Sequence, residues 1–181
     1  MAPSGATSEL LRRARAGDPE AFIELTEPLR GQVYAVLARM VGAGDAEDLV
    51  QEAMVRAFRS LSRFRGDSSL STWLTRIAIN LAIRHASRRR DTVPLDAREW
   101  DEPSAAPPDV VSQLAVRAAV AELTPKLRAA VVLFYFQGLS LDEMAAALAI
   151  KRGTAASRLH EARRILRERL ALPGGGWWDN T

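Results

Sequence analysis

An acidic, proline-rich segment near the middle of the chain limits the folds that the flanking residues can adopt. Residues 91–110, DTVPLDAREWDEPSAAPPDV, hold four of the nine prolines and six carboxylates against one arginine. Proline removes backbone donors, and the few apolar side chains in the segment cannot build a core. The segment, extended to residue 112, is therefore interpreted as a flexible linker between two parts of similar size.

The sequence on both sides of this linker has helical periodicity. Apolar residues recur at three- and four-residue spacing, and no run alternates cleanly enough to predict a sheet. The predicted fold is all-α, with two small helical domains joined by the acidic linker. The predicted organisation is an N-terminal extension at 1–17, a helical domain at 18–90, the linker at 91–112, a second helical domain at 113–172 and a flexible tail at 173–181.

Residues that start and stop helices divide the first domain. Asp18 followed by Pro19 predicts the N-cap of a helix that ends near Gly42. Asp45 is predicted to cap the next helix. A loop then precedes a long helix that runs from about Ser69 to Arg90.

The second domain contains more residues that begin or end helices. Thr124 and Pro125 predict the start of a helix, and Gly138 predicts its end. Ser140 and Glu143 then have the spacing of a capping box. A helix of about eight residues, a tight turn and a basic helix follow, which is the order of a helix-turn-helix.

The charge of the chain is unevenly distributed. The net charge is only +3, but residues 68–90 carry five arginines and no acid, and residues 149–170 carry seven cations and two acids. Two basic segments that flank an acidic one indicate two separate contacts with a polyanion.

Several classes of function are excluded or disfavoured by composition. The chain has no cysteine, which excludes disulfides, thiol catalysis and cysteine-based metal sites. His85 and His160 are isolated from one another, so neither zinc nor any other metal or cofactor is expected. An acidic cluster at 45–52 is a weak case for a metal-dependent nuclease, because nothing supplies a base or a nucleophile. No enzymatic activity is expected.

The chain is predicted to be cytoplasmic. Its longest apolar run, residues 129–136, has eight residues and is too short to cross a bilayer. The first residues do not have the pattern of a signal peptide. No membrane insertion is expected.

The basic helix after the turn is a candidate for contact with duplex DNA. Ala155, Leu159, Ala162 and Leu166 recur at helical spacing and predict a buried stripe. Cations at its N-terminus oppose the helix dipole, and phosphate or guanine contacts would offset that cost. A solvated amphipathic helix is the weaker alternative. The candidate contacts are Lys151, Arg152, Thr154, Ala156, Ser157, Arg158, His160, Arg163 and Arg164.

A second candidate surface lies in the first domain. Four polar residues of the long helix are spaced by four and share one stripe, and the loop before it contains an aromatic residue between two arginines. Such loop residues can stack on or pocket an unstacked base, although Phe64 and Trp73 are preferred as core anchors. The candidate contacts are Arg63, Phe64, Arg65, Arg76, Asn80, Arg84 and Arg88.

The two halves together resemble one known family. Residues 45–90, DAEDLVQEAMVRAFRSLSRFRGDSSLSTWLTRIAINLAIRHASRRR, resemble region two of bacterial RNA polymerase sigma factors of the extracytoplasmic-function group. Residues 123–170, LTPKLRAAVVLFYFQGLSLDEMAAALAIKRGTAASRLHEARRILRERL, resemble region four of the same group. The order is right, and no third region intervenes. Members often have a glycine and a small polar residue before the last helix, where this chain has Ala149 and Ile150.

The resemblance implies a transcription-initiation function without enzymatic activity. It implies that the loop at 63–69 and the helix with Asn80 and Arg84 melt and read the minus-ten promoter element. It also implies that the helix at 151–164 reads the minus-thirty-five element.

The resemblance further implies protein partners. One is core RNA polymerase, through the clamp coiled coil of its largest subunit and the flap of its second-largest subunit. An anti-sigma protein is also expected. The residues implied at the clamp are Asp48, Gln51, Glu52 and Arg56.

Two other functions stay open at this level. One is a stand-alone helix-turn-helix repressor or activator, which has no need for the single-strand site in the first domain. The other is a protein-interaction module whose basic helices do not recognise a DNA sequence, so that any DNA affinity is weak.

Overall fold

A computed structural model of the chain describes residues 5–92 and 108–170, which form eight α-helices. No strand occurs in these two ranges, so the prediction of an all-α fold is confirmed. A 3₁₀ turn at Leu61–Arg63 follows the third helix, and a π-type turn at Val132–Phe136 follows the sixth. The helices are α1 Gly5–Arg15, α2 Pro19–Val41, α3 Ala43–Ser60, α4 Leu70–Thr92, α5 Pro108–Glu122, α6 Pro125–Val131, α7 Leu141–Leu148 and α8 Arg152–Leu170.

The predicted ends of α2 are confirmed. Asp18 caps the helix, because its carboxylate accepts hydrogen bonds from the backbone N–H groups of Glu20 and Ala21 at 3.0 and 3.1 Å. Gly42 ends the helix with a φ of +92°, a value that glycine adopts without steric cost. The hydroxyl of Ser69 accepts a hydrogen bond from the N–H of Thr72 at 3.0 Å at the start of α4.

The predicted cap of α3 is wrong. Helix α3 begins at Ala43, directly after the chain reversal at Gly42, and its N-cap has no side-chain hydrogen bond. Asp45 therefore lies inside the first turn, and its carboxylate is directed at α4. There it interacts with Nε2 of His85 at 3.0 Å and also accepts a hydrogen bond from Arg89.

The predicted helix caps and helix ends of the second half are confirmed. Thr124 caps α6, and Gly138 has a φ of +64° after the π-type turn. Ser140 and Glu143 form the reciprocal capping box: the N–H of Glu143 donates to the Ser140 hydroxyl at 3.3 Å, and the N–H of Ser140 donates to the Glu143 carboxylate at 2.9 Å. The Ser140 hydroxyl also donates to the Glu143 carboxylate at 2.7 Å, and this bond, with the one from the Ser140 N–H, lowers the pKa of Glu143. Helices α7 and α8 then form the predicted helix-turn-helix.

Helices extend into both ends of the predicted linker. Helix α4 continues to Thr92, and α5 begins at Pro108, where a proline fits because a helix start needs no N–H there. The rest of that segment and the tail predicted at 173–181 lie outside the described residues. The N-terminal extension contains a helix, α1, that the sequence pattern did not indicate. The division into domains at 18–90 and 113–172 stays a prediction.

Helices α1–α4, the first module, and helices α5–α8, the second module, share one hydrophobic core. Met40 and Leu74 of the first module and Leu133 and Met144 of the second are fully buried in the same cluster. A smaller cluster lies entirely within the second module and consists of Ala119, Val120, Leu123, Val131, Ala162 and Leu166.

Polar contacts also join the modules. The side-chain amide of Gln32 donates to Gln137 at 2.8 Å. The guanidinium carbon of Arg39 lies 4.8 Å from the ring centroid of Phe136, a cation–π distance. These contacts fix α2 against the π-type turn.

Arg128 of α6 links the C-terminal ends of α2 and α5. Its guanidinium donates to the carbonyls of Val120 and Leu123 at 3.2 Å and to those of Ala121 and Met40. The last carbonyls of a helix lack intrahelical donors and carry partial negative charge. One cation therefore satisfies two helix ends that belong to different modules.

Candidate nucleic-acid and protein interfaces

The cationic stripe of α4 is exposed. The side chains of Arg76, Arg84 and Arg88 are open to solvent, and Asn80 between them is half-buried. The Asn80 amide donates to the carbonyl of Arg76 at 2.8 Å, so this side chain lies along the helix rather than away from it. The spacing of four residues keeps the set on one face, as predicted.

The loop before α4 is anchored by its aromatic residue. Phe64 is only 7% exposed, and its ring centroid lies 5.2 Å from that of Trp73. Its ring is therefore part of the core, in line with the preferred interpretation, and does not present a face to a base here. Arg63 and Arg65 on either side are exposed.

Several cations of this surface have no counter-charge beside them in the part of the chain that the structure describes. Among the described residues, Arg63, Arg65, Arg76 and Arg84 form no ion pair. Concentrated cations without partners attract a polyanion and confer salt-dependent binding.

The turn between α7 and α8 has a defined geometry. The N–H of Ile150 donates to the carbonyl of Ala145 at 3.0 Å, and the N–H of Ala149 donates to that of Ala146 at 3.2 Å. Ala149 has a φ of 52° and a ψ of 46°, the left-handed conformation. Ile150 packs half-buried against the main core. The turn is a Schellman-type helix end, with an alanine where glycine is usual.

Helix α8 is oriented as its periodicity predicts. The buried stripe of Ala155, Leu159, Ala162 and Leu166 is confirmed. Arg158 and Arg163 are half-buried. The other candidate DNA contacts are exposed: Lys151, Arg152, Thr154, Ala156, Ser157, His160 and Arg164.

Two of the predicted contacts also have partners within the second module. The Nε of Arg163 donates to the Tyr135 hydroxyl at 2.6 Å, and its guanidinium carbon lies 5.6 and 5.9 Å from the ring centroids of Tyr135 and Phe134. Arg164 bridges Glu161 and Glu168 along its own helix at 2.8 and 2.6 Å. The Arg164 hydrogen bond lowers the pKa of Glu161. Arg163 therefore links α8 to the π-type turn, whereas the Arg164 pairs lie along one helix and are about half exposed.

The start of α8 carries the more available charge. Arg152 pairs with Asp142 at 3.0 Å, but the two side chains are 68% and 75% exposed, so water screens the pair and its energy is small. The side chains of Lys151 and Arg158 have no hydrogen-bonding or ionic partner among the described residues. The first two turns of α8 therefore present cations and the hydroxyl of Thr154, while the Ser157 hydroxyl donates to the carbonyl of Gly153 at 2.9 Å.

The outward face of α3 is a third surface. The four side chains implied at the polymerase clamp are all exposed, and an ion pair at 2.5 Å joins two of them, Glu52 and Arg56. Val55 lies on this face and is 48% exposed, and sequence reasoning missed it. The available signal was its position, seven residues after Asp48 on the same side of the helix. Single exposed apolar residues are common on protein surfaces, and one within a polar face has the arrangement of an interface centre with a polar rim.

Neither a metal site nor a membrane segment is seen in the described ranges. No group of three or more histidines and carboxylates is placed to hold a metal ion there. None of the helices in those ranges is both long and apolar enough to cross a bilayer.

Comparison with known proteins identifies the family. Two family models match the chain: Sigma-70 region 2 over residues 25–92, and Sigma-70, region 4 over residues 113–166. The RNA polymerase sigma-H factor of Pseudomonas aeruginosa is 34% identical over 174 residues, covering 87% of this chain and 90% of that protein. The ECF RNA polymerase sigma-E factor of Escherichia coli is also 34% identical, over 173 residues, with the same coverage.

A solved structure agrees with this assignment. CnrH, in complex with the cytosolic domain of CnrY, has a TM-score of 0.66 and 27% identity, and the match covers 92% of this chain and 97% of that one. The chain belongs to the extracytoplasmic-function (ECF) sigma factors, as the sequence resemblance predicted.

Proposed function

We propose that this chain binds core RNA polymerase, recognises the minus-ten and minus-thirty-five promoter elements and promotes duplex opening. One observation supports this most: a chain of the sigma family exposes two separate cationic surfaces, one on α4 with its loop and one at the start of α8. A stand-alone repressor needs only the second surface. The proposed role includes no catalytic step and no cofactor.

The surface on α4 suits single-stranded DNA. Its four-residue stripe matches a phosphate backbone, and Asn80 has an amide that can exchange its bond to Arg76 for a bond to a base. Arg63 and Arg65 extend the surface into the loop, while Phe64 anchors that loop. We assign the minus-ten element to this surface.

The start of α8 suits the major groove of duplex DNA. Recognition helices direct their N-terminal residues at base edges. Here Arg152 is the candidate for guanine, and Lys151 and Arg158 are candidates for phosphates. We assign the minus-thirty-five element to this turn. Arg163 and Arg164 stay candidates for the same element, although their guanidinium groups already have partners within the module.

We assign the outward face of α3 to the polymerase clamp. The two curated relatives above are named as RNA polymerase sigma factors.

Val55→Lys places a charge at the apolar centre of this face and is expected to weaken binding to core polymerase about tenfold or more, measured by pull-down with purified core. Ile23→Lys on α2 is the matched control, because Ile23 is 59% exposed and lies outside this face. Equal retention of both variants would remove the assignment.

We also infer an anti-sigma protein as a partner. CnrH was solved with the cytosolic domain of a second protein, and the surfaces assigned here to polymerase and DNA are exposed in this chain. A protein that covers them would block initiation.

A reconstitution tests the proposed function. Purified core polymerase and this protein are mixed with a randomised promoter library, and the transcripts are sequenced. Initiation downstream of one shared two-part motif is expected. Absence of transcripts, together with tight binding to duplex DNA without polymerase, would favour the stand-alone regulator instead.

A further inference from the structure

Helix α1 has no role in the function proposed so far. The match to Sigma-70 region 2 begins at residue 25, after this helix has ended. The helix is nonetheless part of the packed structure: Ala14 is 2% exposed, and Leu10 and Leu11 pack against the main core. Its packing fixes the position of whatever its last turn carries.

The corner between α1 and α2 is tightly held. Gly17 turns the chain with a φ of +97°. The guanidinium of Arg13 donates twice to the carboxylate of Asp18, at 2.8 and 2.5 Å, and the same carboxylate caps α2. The hydrogen bond from the backbone N–H of Ala21 and the one from the Arg13 side chain lower the pKa of Asp18. Arg15, between Arg13 and Asp18 in sequence, is therefore presented from a defined corner.

Arg15 reaches the loop assigned to the minus-ten element. Its Nη2 donates to the backbone carbonyl of Phe64, 49 residues away in sequence. Phe64 is thus held at two points, by its ring against Trp73 and by its carbonyl on a cation. Both exposed loop arginines are adjacent to it in sequence.

We propose that Arg15 is a positioning residue for minus-ten recognition, which fixes the carbonyl of Phe64 so that Arg63 and Arg65 are presented in a shape ready for the unpaired strand. This inference rests on the proposed function of that loop. It makes α1 part of the promoter-reading apparatus.

The restraint from Arg15 matters because the loop loses conformational entropy when it binds DNA. Gly66 has a φ of +82°, and residues 64–69 are outside any helix, so the loop has backbone freedom to lose on binding DNA. A charge-assisted hydrogen bond to a backbone carbonyl restrains it beforehand. Ordering that is complete before binding does not reduce the affinity for DNA.

The first test needs no polymerase. Hydrogen exchange of residues 62–69 is measured by mass spectrometry in the full chain, for the wild type, Arg15→Ala, Arg15→Lys and Arg12→Ala. Arg12 is the control, because it is on the same helix and its side chain bonds only to Glu9 among the described residues. Faster exchange, by about two- to twelvefold, is expected in the loop for Arg15→Ala only, with partial rescue by lysine. Equal acceleration throughout α4 would mean a general structural role and would overturn the inference.

The second test measures sequence discrimination. The probe is a single-stranded oligonucleotide that carries the minus-ten element obtained from the promoter library, compared with the same strand substituted within that element. Holoenzyme with Arg15→Ala is expected to discriminate between them about two- to twelvefold less well than wild type, with an unchanged salt slope. A slope reduced by about 0.7 would show a direct phosphate contact and overturn the positioning role.

The two tests separate the possible failures. A wild-type holoenzyme that yields no promoter-specific transcripts contradicts the proposed function. A wild type that is active, with Arg15→Ala equal to it in loop exchange and in discrimination, contradicts only the inference about Arg15.

Discussion

Ala149 shows how a single residue sets the geometry of the DNA-reading motif. Among the described residues it is the only one other than glycine with a positive φ. The Cβ of alanine crowds the following carbonyl in this conformation, at a cost of about 1–2 kcal/mol. The cost is tolerated because the two backbone bonds at the end of α7 and the packing of Ile150 leave the turn no alternative.

Ala149→Gly is therefore expected to stabilise the protein. Relief of strain outweighs the extra freedom of glycine in the unfolded chain, for a net gain of about 0.5–1 kcal/mol in the free energy of unfolding. Urea denaturation followed by circular dichroism measures it. Ala146→Gly, an exposed position within α7, is the control and is expected to lose about 0.5–1 kcal/mol. A loss at both positions would argue against strain at Ala149.

Asp45 makes the free energy of unfolding depend on pH. Partial burial raises the pKa of its carboxyl, but the hydrogen bonds from His85 and Arg89 outweigh burial, so the pKa lies below its ordinary value of 3.8. The unfolded state then binds the proton more readily, and the stabilisation is present above pH 3.8 and lost as the pH falls through the folded-state pKa. Unfolding free energies of the wild type and Asp45→Asn are expected to differ at neutral pH and to converge below that value. A difference independent of pH would exclude this role.

The capping box of α7 and the carboxylate of Asp45 show what the sequence can and cannot predict. The capping box of Ser140 and Glu143 is predictable because its partners are three positions apart and bond only to each other and the local backbone. Asp45 is of a residue type that commonly caps a helix N-terminus, but its partner His85 is 40 positions away in the sequence. Its role depends on how α3 packs against α4, which no local pattern contains.

At the scale of the element, α8 separates cations without an ionic partner in the described ranges from cations that are paired within the second module. The buried stripe follows from helical spacing and was predictable. The capture of Arg163 was not, because Tyr135 lies 28 positions earlier, in a π-type turn that no sequence pattern indicated. Similarly, the anchoring of the loop by Arg15 depends on a helix outside the recognised motifs.

This separation predicts different salt dependences. Lys151→Ala removes a cation without a described partner and is expected to reduce the salt slope of holoenzyme binding to a duplex promoter by about 0.9. Arg164→Ala removes a cation already bridged to Glu161 and Glu168, and its effect on the slope is expected to be smaller. The measurement is promoter affinity between 50 and 200 mM salt, about the range over which such effects are large. Equal slopes for both variants would contradict the distinction.

At the scale of the whole molecule, Arg128 is the polar contact that most directly joins the modules. Arg128→Met keeps much of the side-chain volume but removes a donor from four helix-end carbonyls, of which that of Val120 keeps its bond from the Leu123 N–H. A loss of about 2–4 kcal/mol in unfolding free energy is expected. Urea denaturation measures the loss, and small-angle X-ray scattering detects any increase in radius of gyration. Lys126→Met, at an exposed position on the same helix, is the control. An unchanged denaturation midpoint for Arg128→Met would show that the shared core alone holds the modules together.

The shared core also has a consequence for the order in which the chain is made. Helices α6 and α7 cover faces of α2 and α4, yet α7 ends at residue 148, 56 residues after α4 ends at residue 92. At the usual pace of synthesis, about 5–20 residues per second, the first module waits roughly 3–11 s for that cover. During this interval a newly made first module presents to solvent the apolar faces of α2 and α4 that α6 and α7 cover in the finished chain.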